Sequence, residues 1–185
     1  MFKKIIWLSL MVCLGLGMLF NLAVNAKEGE PKMEKAVFAA GCFWGVEEHF
    51  RTLKGVISTR VGYCGGDYPD PDYQTVCTGR TNHAESVEIE YNPNLISYNE
   101  LLKVFWTTHD PTTPNRQGPD FGTQYRSIIF YTNKDQEKLA NESKLKMAKS
   151  FQSPIVTSIL PLSDFYQAEE YHQKYLLKHG QNMCH

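Results

Sequence analysis

The stretch Ala36-Val37-Phe38-Ala39-Ala40-Gly41-Cys42-Phe43-Trp44-Gly45-Val46-Glu47-Glu48-His49-Phe50 decides how the rest of the chain is read. Its first five residues form an unbroken apolar run, the pattern of a buried strand. From Phe43 onward the apolar residues Phe43, Val46 and Phe50 recur at helical spacing. Gly41 permits the tight turn between the two. Cys42 therefore sits where a central strand becomes a helix. A helix start offers unpaired N–H groups and a partial positive charge, both of which favour thiolate over thiol. A buried cysteine is ordinarily an inert small hydrophobe. The strand–glycine–cysteine–helix setting makes a thiolate nucleophile the working reading instead.

The chain has 185 residues, enough for one domain with one sizeable core. Its formal charge is −1 and it has no long basic run, so neither nucleic acid nor an anionic membrane surface is implied as a partner. At the N-terminus Lys3-Lys4 precede an apolar run from Ile5 to Val24, which ends in Val24-Asn25-Ala26. This is the pattern of a secretory signal over residues 1–26, with an uncleaved anchor as the alternative. The expectation is an exported protein, periplasmic or extracellular. Cys13 leaves with the signal, residues 27–34 form a polar linker, and one domain fills 35–185, with a tail from about residue 176. Cys42, Cys64, Cys77 and Cys184 remain. In an oxidising compartment they allow two structural disulfides, but a chain of this size does not need such staples, so a redox role competes. No C-x-x-C or C-x-x-H pair suggests a metal site. The acids of Asp67 to Asp72 lack the glycine and closing glutamate of a calcium loop.

Further along, Gly55 to Tyr63 alternates as a strand with Ile57, Thr59, Val61 and Tyr63 on one face. In the strand Ala84 to Tyr91, Glu85 shares the parity of Val87, Ile89 and Tyr91. A carboxyl on the buried face is desolvated, its pKa rises, and it keeps its proton near neutrality, as a general acid must. If the strand end is open, Glu85 simply reaches water. Ser97 and Glu100 form a capping box and Ile96 can staple onto Leu101, which starts a helix carrying Leu101, Leu102, Val104 and Phe105. His109 to Gln124 is a long aperiodic loop, a length that is usually functional. Ser127 to Tyr131 reads as a strand, Asn133 with Gln136 as a helix start, Ile155 to Leu160 as a last strand, and Asp164 with Gln167 as the start of a final helix. The order predicts an α+β fold: a two-layer sandwich with a mixed or antiparallel sheet, a split βαβ (ferredoxin-like) core and an extended C-terminal tail. The thiolate, a neutral carboxyl, loop tyrosines and two aromatics beside the cysteine form a coherent site. It could hold a methyl group, protonate an oxygen and resolve an oxidised thiol with a second cysteine.

At this point the sequence resembles the type A peptide methionine sulfoxide reductases, over nearly all of Ala36 to Tyr175. The likeness rests on Gly41-Cys42-Phe43-Trp44-Gly45, Val61-Gly62-Tyr63 with Gly65-Gly66, Tyr73 to Gly79, and His83-Ala84-Glu85. It continues through Asn115-Arg116-Gln117-Gly118, Asp120 and Gly122 to Ser127. The resemblance implies that Cys42 attacks the sulfoxide sulfur and becomes a sulfenic acid. Glu85 would protonate the oxygen, Tyr73 and Tyr125 would hydrogen-bond to it, Phe43 and Trp44 would cage the methyl, and Asp120 would support the polar side. It further implies the S epimer as substrate, free and in proteins, and so a role in repairing oxidised proteins. Cys184 would be the resolving partner, with no cofactor, electrons from a thioredoxin-like donor, and a monomeric enzyme. The family's usual Gly-Tyr before that last cysteine is absent here. Cys64 and Asn82 stand where the family usually has Ala and Gly. Each of Cys64 and Cys77 is expected as a partly buried thiol, with a Cys64–Cys77 bridge as the alternative. A left-handed backbone is tolerated at Asn82. His83 and His109 are expected as structural hydrogen-bond partners and His49 as a surface residue. The competing classes are a cysteine hydrolase or acyltransferase with a histidine base, and a disulfide-stabilised secreted binding module.

Overall fold

The computed structural model describes residues 32–180. The signal segment, Cys13 and Cys184 lie outside them. Strand β1 (Glu34–Ala40) is followed by helix α1 (Phe43–Arg51), β2 (Val56–Cys64), the short α2 (Tyr73–Cys77), β3 (Ala84–Tyr91) and α3 (Tyr98–Thr107). A small hairpin follows, β4 (Arg116–Gln117) and β5 (Asp120–Phe121). Then come β6 (Ser127–Tyr131), α4 (Lys134–Met147), β7 (Ser158–Pro161), β8 (Phe165–Gln167) and the single turn α5 (Tyr175–Lys178).

Six strands form one mixed sheet in the order β7-β6-β1-β3-β2-β8. β1 and β2 each run antiparallel to β3, which lies between them, and β6 runs antiparallel to β1. Among the described residues only β7 pairs in parallel, on the outer side of β6. The apolar parity of these strands sorts their side chains onto two faces. Ala36, Phe38 and Ala40 join Val61, Tyr63, Val87, Ile89 and Tyr91 in the main core, which α1 and α3 cover with Phe43, Val46, Phe50, Leu101, Leu102 and Phe105. Val37, Ala39, Ile128 and Phe130 face the other way, under Leu162 and Phe165. Burial on both faces explains why β1 is an apolar run rather than an alternating one. Phe38 anchors the main core, its ring 5.3 Å from Phe50 and 5.2 Å from Phe105.

The local signals hold where they were strongest. Ser97 and Glu100 close a capping box at the start of α3, and Ile96 and Leu101 are both in the core. Asn133 caps α4 by accepting from the Gln136 N–H. Asn82 has φ of 55°, the left-handed backbone its side chain tolerates.

Several expectations are corrected. Ile57 is not on the buried face: a bulge between Val56 and Ser58 breaks the alternation, and Ile57 is 55% exposed. Asp164 and Gln167 do not start a helix. Phe165–Gln167 instead forms β8 and hydrogen-bonds to the edge of β2. The run Ile155 to Leu160 becomes strand only from Ser158. The stretch His109 to Gln124 contains the β4–β5 hairpin and leads into a 3₁₀ turn at Thr123–Tyr125. The beginning of the tail, after Tyr175, is helical.

Candidate active site

Gly41 ends β1 with φ of 96°, which reverses the chain so that Cys42 becomes the N-cap of α1. The Cys42 carbonyl accepts the first helical bond, from the Val46 N–H at 3.3 Å. Its side chain stands half-buried at the positive end of the nine-residue helix.

The next N–H of that helix, on Phe43, donates to Oε2 of Glu85 at 3.0 Å. Glu85 is 2% exposed, because its parity on β3 turns it under α1, opposite Tyr63 on β2. Burial pushes its pKa up to about 8; the Phe43 N–H opposes that rise and the nearby charge of Asp120 adds to it. The acid is therefore protonated at neutral pH. The carbonyl oxygen of a neutral carboxyl is its better acceptor, so the Phe43 N–H leaves Oε1 to carry the proton.

Tyr73 opens α2, where Asp72 and Thr75 form a capping box, and its own N–H donates to Oε1 of Glu169 at 2.9 Å. Tyr125 closes the 3₁₀ turn before β6. Neither tyrosine is on an unstructured loop. Burial raises the pKa of both hydroxyls. Tyr73 also feels the Cys77 thiol, Glu85 and Cys42; Tyr125 also feels Glu85, Asp120, Cys77 and Tyr73. They stay protonated and can donate to an oxygen. Cys42, Glu85, Tyr73, Tyr125 and Asp120 thus share one electrostatic neighbourhood, assembled from five separate parts of the chain.

A cavity of about 430 Å³ opens beside Cys42, lined by Trp44, His49, Asp110, Gln117 and Asp120 among others. Glu85, the two tyrosines and Phe43 do not line it. Phe43 is 1% exposed and packs against Tyr63, the ring centroids 5.9 Å apart, so of the two expected cage aromatics only Trp44 presents itself to the cavity. Asp120 reaches the cavity from β5. The hairpin is tied down by Gln117, whose Oε1 accepts from the Asp110 N–H at 3.0 Å and whose Nε2 donates to the Asp110 carbonyl at 2.8 Å.

Two histidines are held in hydrogen bonds that serve the fold. His83 bridges the Gly66 N–H and the Tyr68 carbonyl, and His109 bridges the Phe105 carbonyl and the Ser127 hydroxyl. Burial lowers the pKa of His109 to about 4. His49 is half-buried on the cavity wall rather than fully on the surface. Cys64 is wholly buried, Cys77 is exposed, and no bridge joins them, so neither is the partly buried thiol expected. Among the described residues no cluster of His, Cys, Asp and Glu is arranged to hold a metal ion.

Sequence reasoning missed Glu169 and His172. Glu169 accepts from the Tyr73 N–H and, at 3.0 Å, from the Tyr63 hydroxyl. His172 accepts from the Trp44 indole. Glu169 lies 96 and 106 residues from its partners and His172 lies 128 from Trp44, beyond any local pattern.

A thiol at a helix start, with a neutral acid behind it and hydroxyl donors beside it, has the makings of a thiol-dependent oxidoreductase site able to take an oxygen from a substrate. The family profile of peptide methionine sulfoxide reductases matches residues 34–185. The peptide methionine sulfoxide reductase MsrA of Methanosarcina acetivorans is 57% identical over 158 residues, 84% of this chain and 82% of that one. The crystal structure of Mxr1 from Saccharomyces cerevisiae in reduced form superposes with a TM-score of 0.78 at 39% identity, covering 84% of this chain and 91% of that one. A second Mxr1 structure, in complex with Trx2, gives 0.57 at 26% identity, covering 82% and 91%. The chain belongs to the type A peptide methionine sulfoxide reductase family. It is an enzyme that reduces methionine sulfoxide to methionine, and the hydrolase and binding-module readings find no support.

Proposed function

We propose that the enzyme reduces the S epimer of methionine sulfoxide, free and in proteins, with Cys42 as nucleophile and Glu85 as proton donor. The observation that carries the reading is the buried Glu85 carboxyl hydrogen-bonded to the first N–H of the helix that begins at Cys42. The Cys42 thiolate attacks the sulfoxide sulfur while Glu85 protonates the oxygen and Tyr73 and Tyr125 donate hydrogen bonds to it. Methionine leaves, and Cys42, now carrying the oxygen, is a sulfenic acid. Trp44 packs against the substrate methyl with Phe43 behind it. Asp120 serves the polar side of the pocket and keeps Glu85 protonated.

In the second stage Cys184 attacks the sulfenic sulfur, a disulfide forms and water leaves. A dithiol donor of the thioredoxin class then reduces that disulfide and is itself oxidised. The course of the chain supports this role: Tyr175, on the segment that leads to the tail, stacks on Trp44 beside Cys42, the ring centroids 3.8 Å apart. The Trx2 complex of yeast Mxr1 supports the choice of donor. The strand order β6-β1-β3-β2 with antiparallel neighbours supports a split βαβ core, with the C-terminal segment as the tail that bears Cys184. The enzyme acts as a monomer. Lys3-Lys4 and the apolar run to Ala26 support export by a signal over residues 1–26.

The test is turnover on the two separated sulfoxide epimers with a thioredoxin donor, followed by peptide mapping without reduction. Activity confined to the S epimer and a Cys42–Cys184 peptide are expected. Equal rates on both epimers, or a disulfide lacking Cys184, would refute the corresponding part.

A further inference from the structure

The segment Ala168 to Tyr175 crosses beside the site as a strap that is pinned to the body of the protein. Gln173 accepts from the Val61 N–H at 2.9 Å and donates to the carbonyls of Val61 and Ala168 at 2.9 and 2.8 Å, standing in for a strand partner. Glu47, buried in α1, accepts from the Lys174 N–H at 2.7 Å. Near the start of this fixed segment, Glu169 reaches two tyrosines at once.

Helix α2 has five residues, too few to hold itself in place, because the first turn of a helix costs more to form than its hydrogen bonds return. The capping box of Asp72 and Thr75 closes that turn from within. Val76 is the residue of α2 buried in the core, and one buried side chain is a pivot rather than a clamp. Tyr73 is the first helical residue, so its N–H has no acceptor inside the helix. Oε1 of Glu169 accepts it at 2.9 Å, and Oε2 of the same carboxylate accepts from the Tyr63 hydroxyl at 3.0 Å. Tyr63 is fully buried on β2 and pairs with Glu85 on β3. One carboxylate therefore joins the strand beside the proton donor to the residue that carries an oxygen-binding hydroxyl. The Tyr73 ring also rests on His172, 4.6 Å between centroids, a contact that limits tilt but does not fix the backbone. Partial burial raises the Glu169 pKa, but the hydrogen bonds it accepts outweigh that and hold it below the usual carboxylate range. The clamp is thus charged, and bonds to an ionised acceptor are the stronger kind.

We infer that Glu169 is a positioning residue: by clamping the Tyr73 N–H to the Tyr63 hydroxyl, it sets where the Tyr73 hydroxyl stands relative to the Glu85 carboxyl, so that both serve one sulfoxide oxygen. This rests on the reading of Tyr73 and Glu85 as the groups that meet that oxygen. It goes further by giving the strap a part in the oxygen-transfer step, exerted through the backbone of a short helix. Without the clamp α2 can turn about Val76 and carry the hydroxyl off the oxygen, and a displacement of about 1 Å near a reacting group can cost about 10²-fold in rate.

The experiment measures the single-turnover rate of methionine release by the full chain from methionine S-sulfoxide, and the substrate concentration that half-saturates it. The variants are Tyr73→Phe, Glu169→Ala, the two combined, Glu169→Gln and Glu169→Asp. Tyr73→Phe should slow release by about 10²-fold, the worth of one donor to a developing charge. Glu169→Ala should slow it about tenfold or more with little change in half-saturation. The double variant should be no slower than Tyr73→Phe, because a misplaced hydroxyl and a missing one are the same loss. Losses that multiply would overturn the inference, and so would an unchanged rate in Glu169→Ala. Gln keeps an acceptor for the Tyr73 N–H, and its amide can donate to the Tyr63 oxygen; Asp keeps the charge but falls one methylene short. Gln should therefore restore most of the rate and Asp should not. The reverse order would point to charge alone and overturn the clamp. If Glu169→Ala fails to fold, Gln against Asp carries the same comparison. An unchanged rate in Tyr73→Phe overturns the oxygen-donor reading of Tyr73, and this inference with it.

Discussion

Glu85 joins sequence parity to chemistry at a single residue. Its carboxyl is neutral at pH 7 because β3 turns it into the core, which suits it to the part of an acid in the proposed mechanism rather than a base. Replacing it with Gln keeps an acceptor for the Phe43 N–H but removes the proton. The single-turnover rate of methionine release should fall by about 10²–10⁴ with little change in substrate binding, measured by rapid quench. In the wild type the same rate should fall as pH rises through about 8, where the acid is lost. Asp120→Asn removes a negative neighbour that raises the Glu85 pKa, so it should move that alkaline limb to lower pH. The same shift is a stability effect. Between pH 4.5 and 8 the folded state holds a proton that the unfolded chain has lost. This contribution is complete below 4.5, declines by up to about 1.4 kcal/mol per pH unit, and is gone above 8. Urea unfolding from pH 5 to 8 should therefore show the wild type losing stability relative to Glu85→Gln.

At the scale of elements, the turn between β1 and α1 is the most constrained feature near the thiol. A Cβ on Gly41 would lie 2.8 Å from the Gln117 side chain, at a φ that L-residues rarely adopt. Gly41→Ala should push the β4–β5 hairpin, and with it Asp120, away from Cys42. Loss of kcat/KM together with destabilisation of about 1–3 kcal/mol is expected, from steady-state kinetics and denaturant titration. Ser97→Ala offers a contrast. It breaks the capping box of α3 far from the thiol and should cost about 1 kcal/mol while leaving kcat unchanged. Elements with such local signals were legible in the sequence: β1, α1, β3, α3, β6 and the start of α4. Phe165–Gln167 was not. Its Asp164 and Gln167 mimic a helix start, but the open edge of β2 supplies Gly62, Tyr63 and Cys64 as strand partners and outweighs the local preference. Ile57 was misplaced for a related reason, since strict alternation has no means of anticipating a bulge.

For the molecule as a whole, the C-terminal strap is what completes the site. Gln173→Ala would strand the buried N–H of Val61, whose carbonyl keeps the Ala168 N–H, and loosen the segment that carries Glu169, His172 and Tyr175. A loss of about 2 kcal/mol or more is expected, with faster amide hydrogen exchange confined at first to residues 168–178. In the proposed mechanism, recycling depends on Cys184. Cys184→Ser should release about one methionine per enzyme and then stop with a thioredoxin-like donor; full turnover would remove Cys184 from the mechanism. Cys42→Ser should release none.

The sequence by itself determined the thiol at a strand-to-helix turn, the carboxyl on the buried parity of β3, the helix caps and the family. Each of these is written in neighbouring residues or in an ordered set of motifs. Tertiary structure alone decided that Phe43 turns into the core while Trp44 faces the cavity. It also decided that Tyr73 is held by Glu169, that Gln117 ties the hairpin to Asp110, and that His172 meets the indole. Those pairings cross from 7 to 128 residues of chain. They arise because closing the sheet brings its edge and its last segment to one place, a consequence of packing that no periodicity encodes.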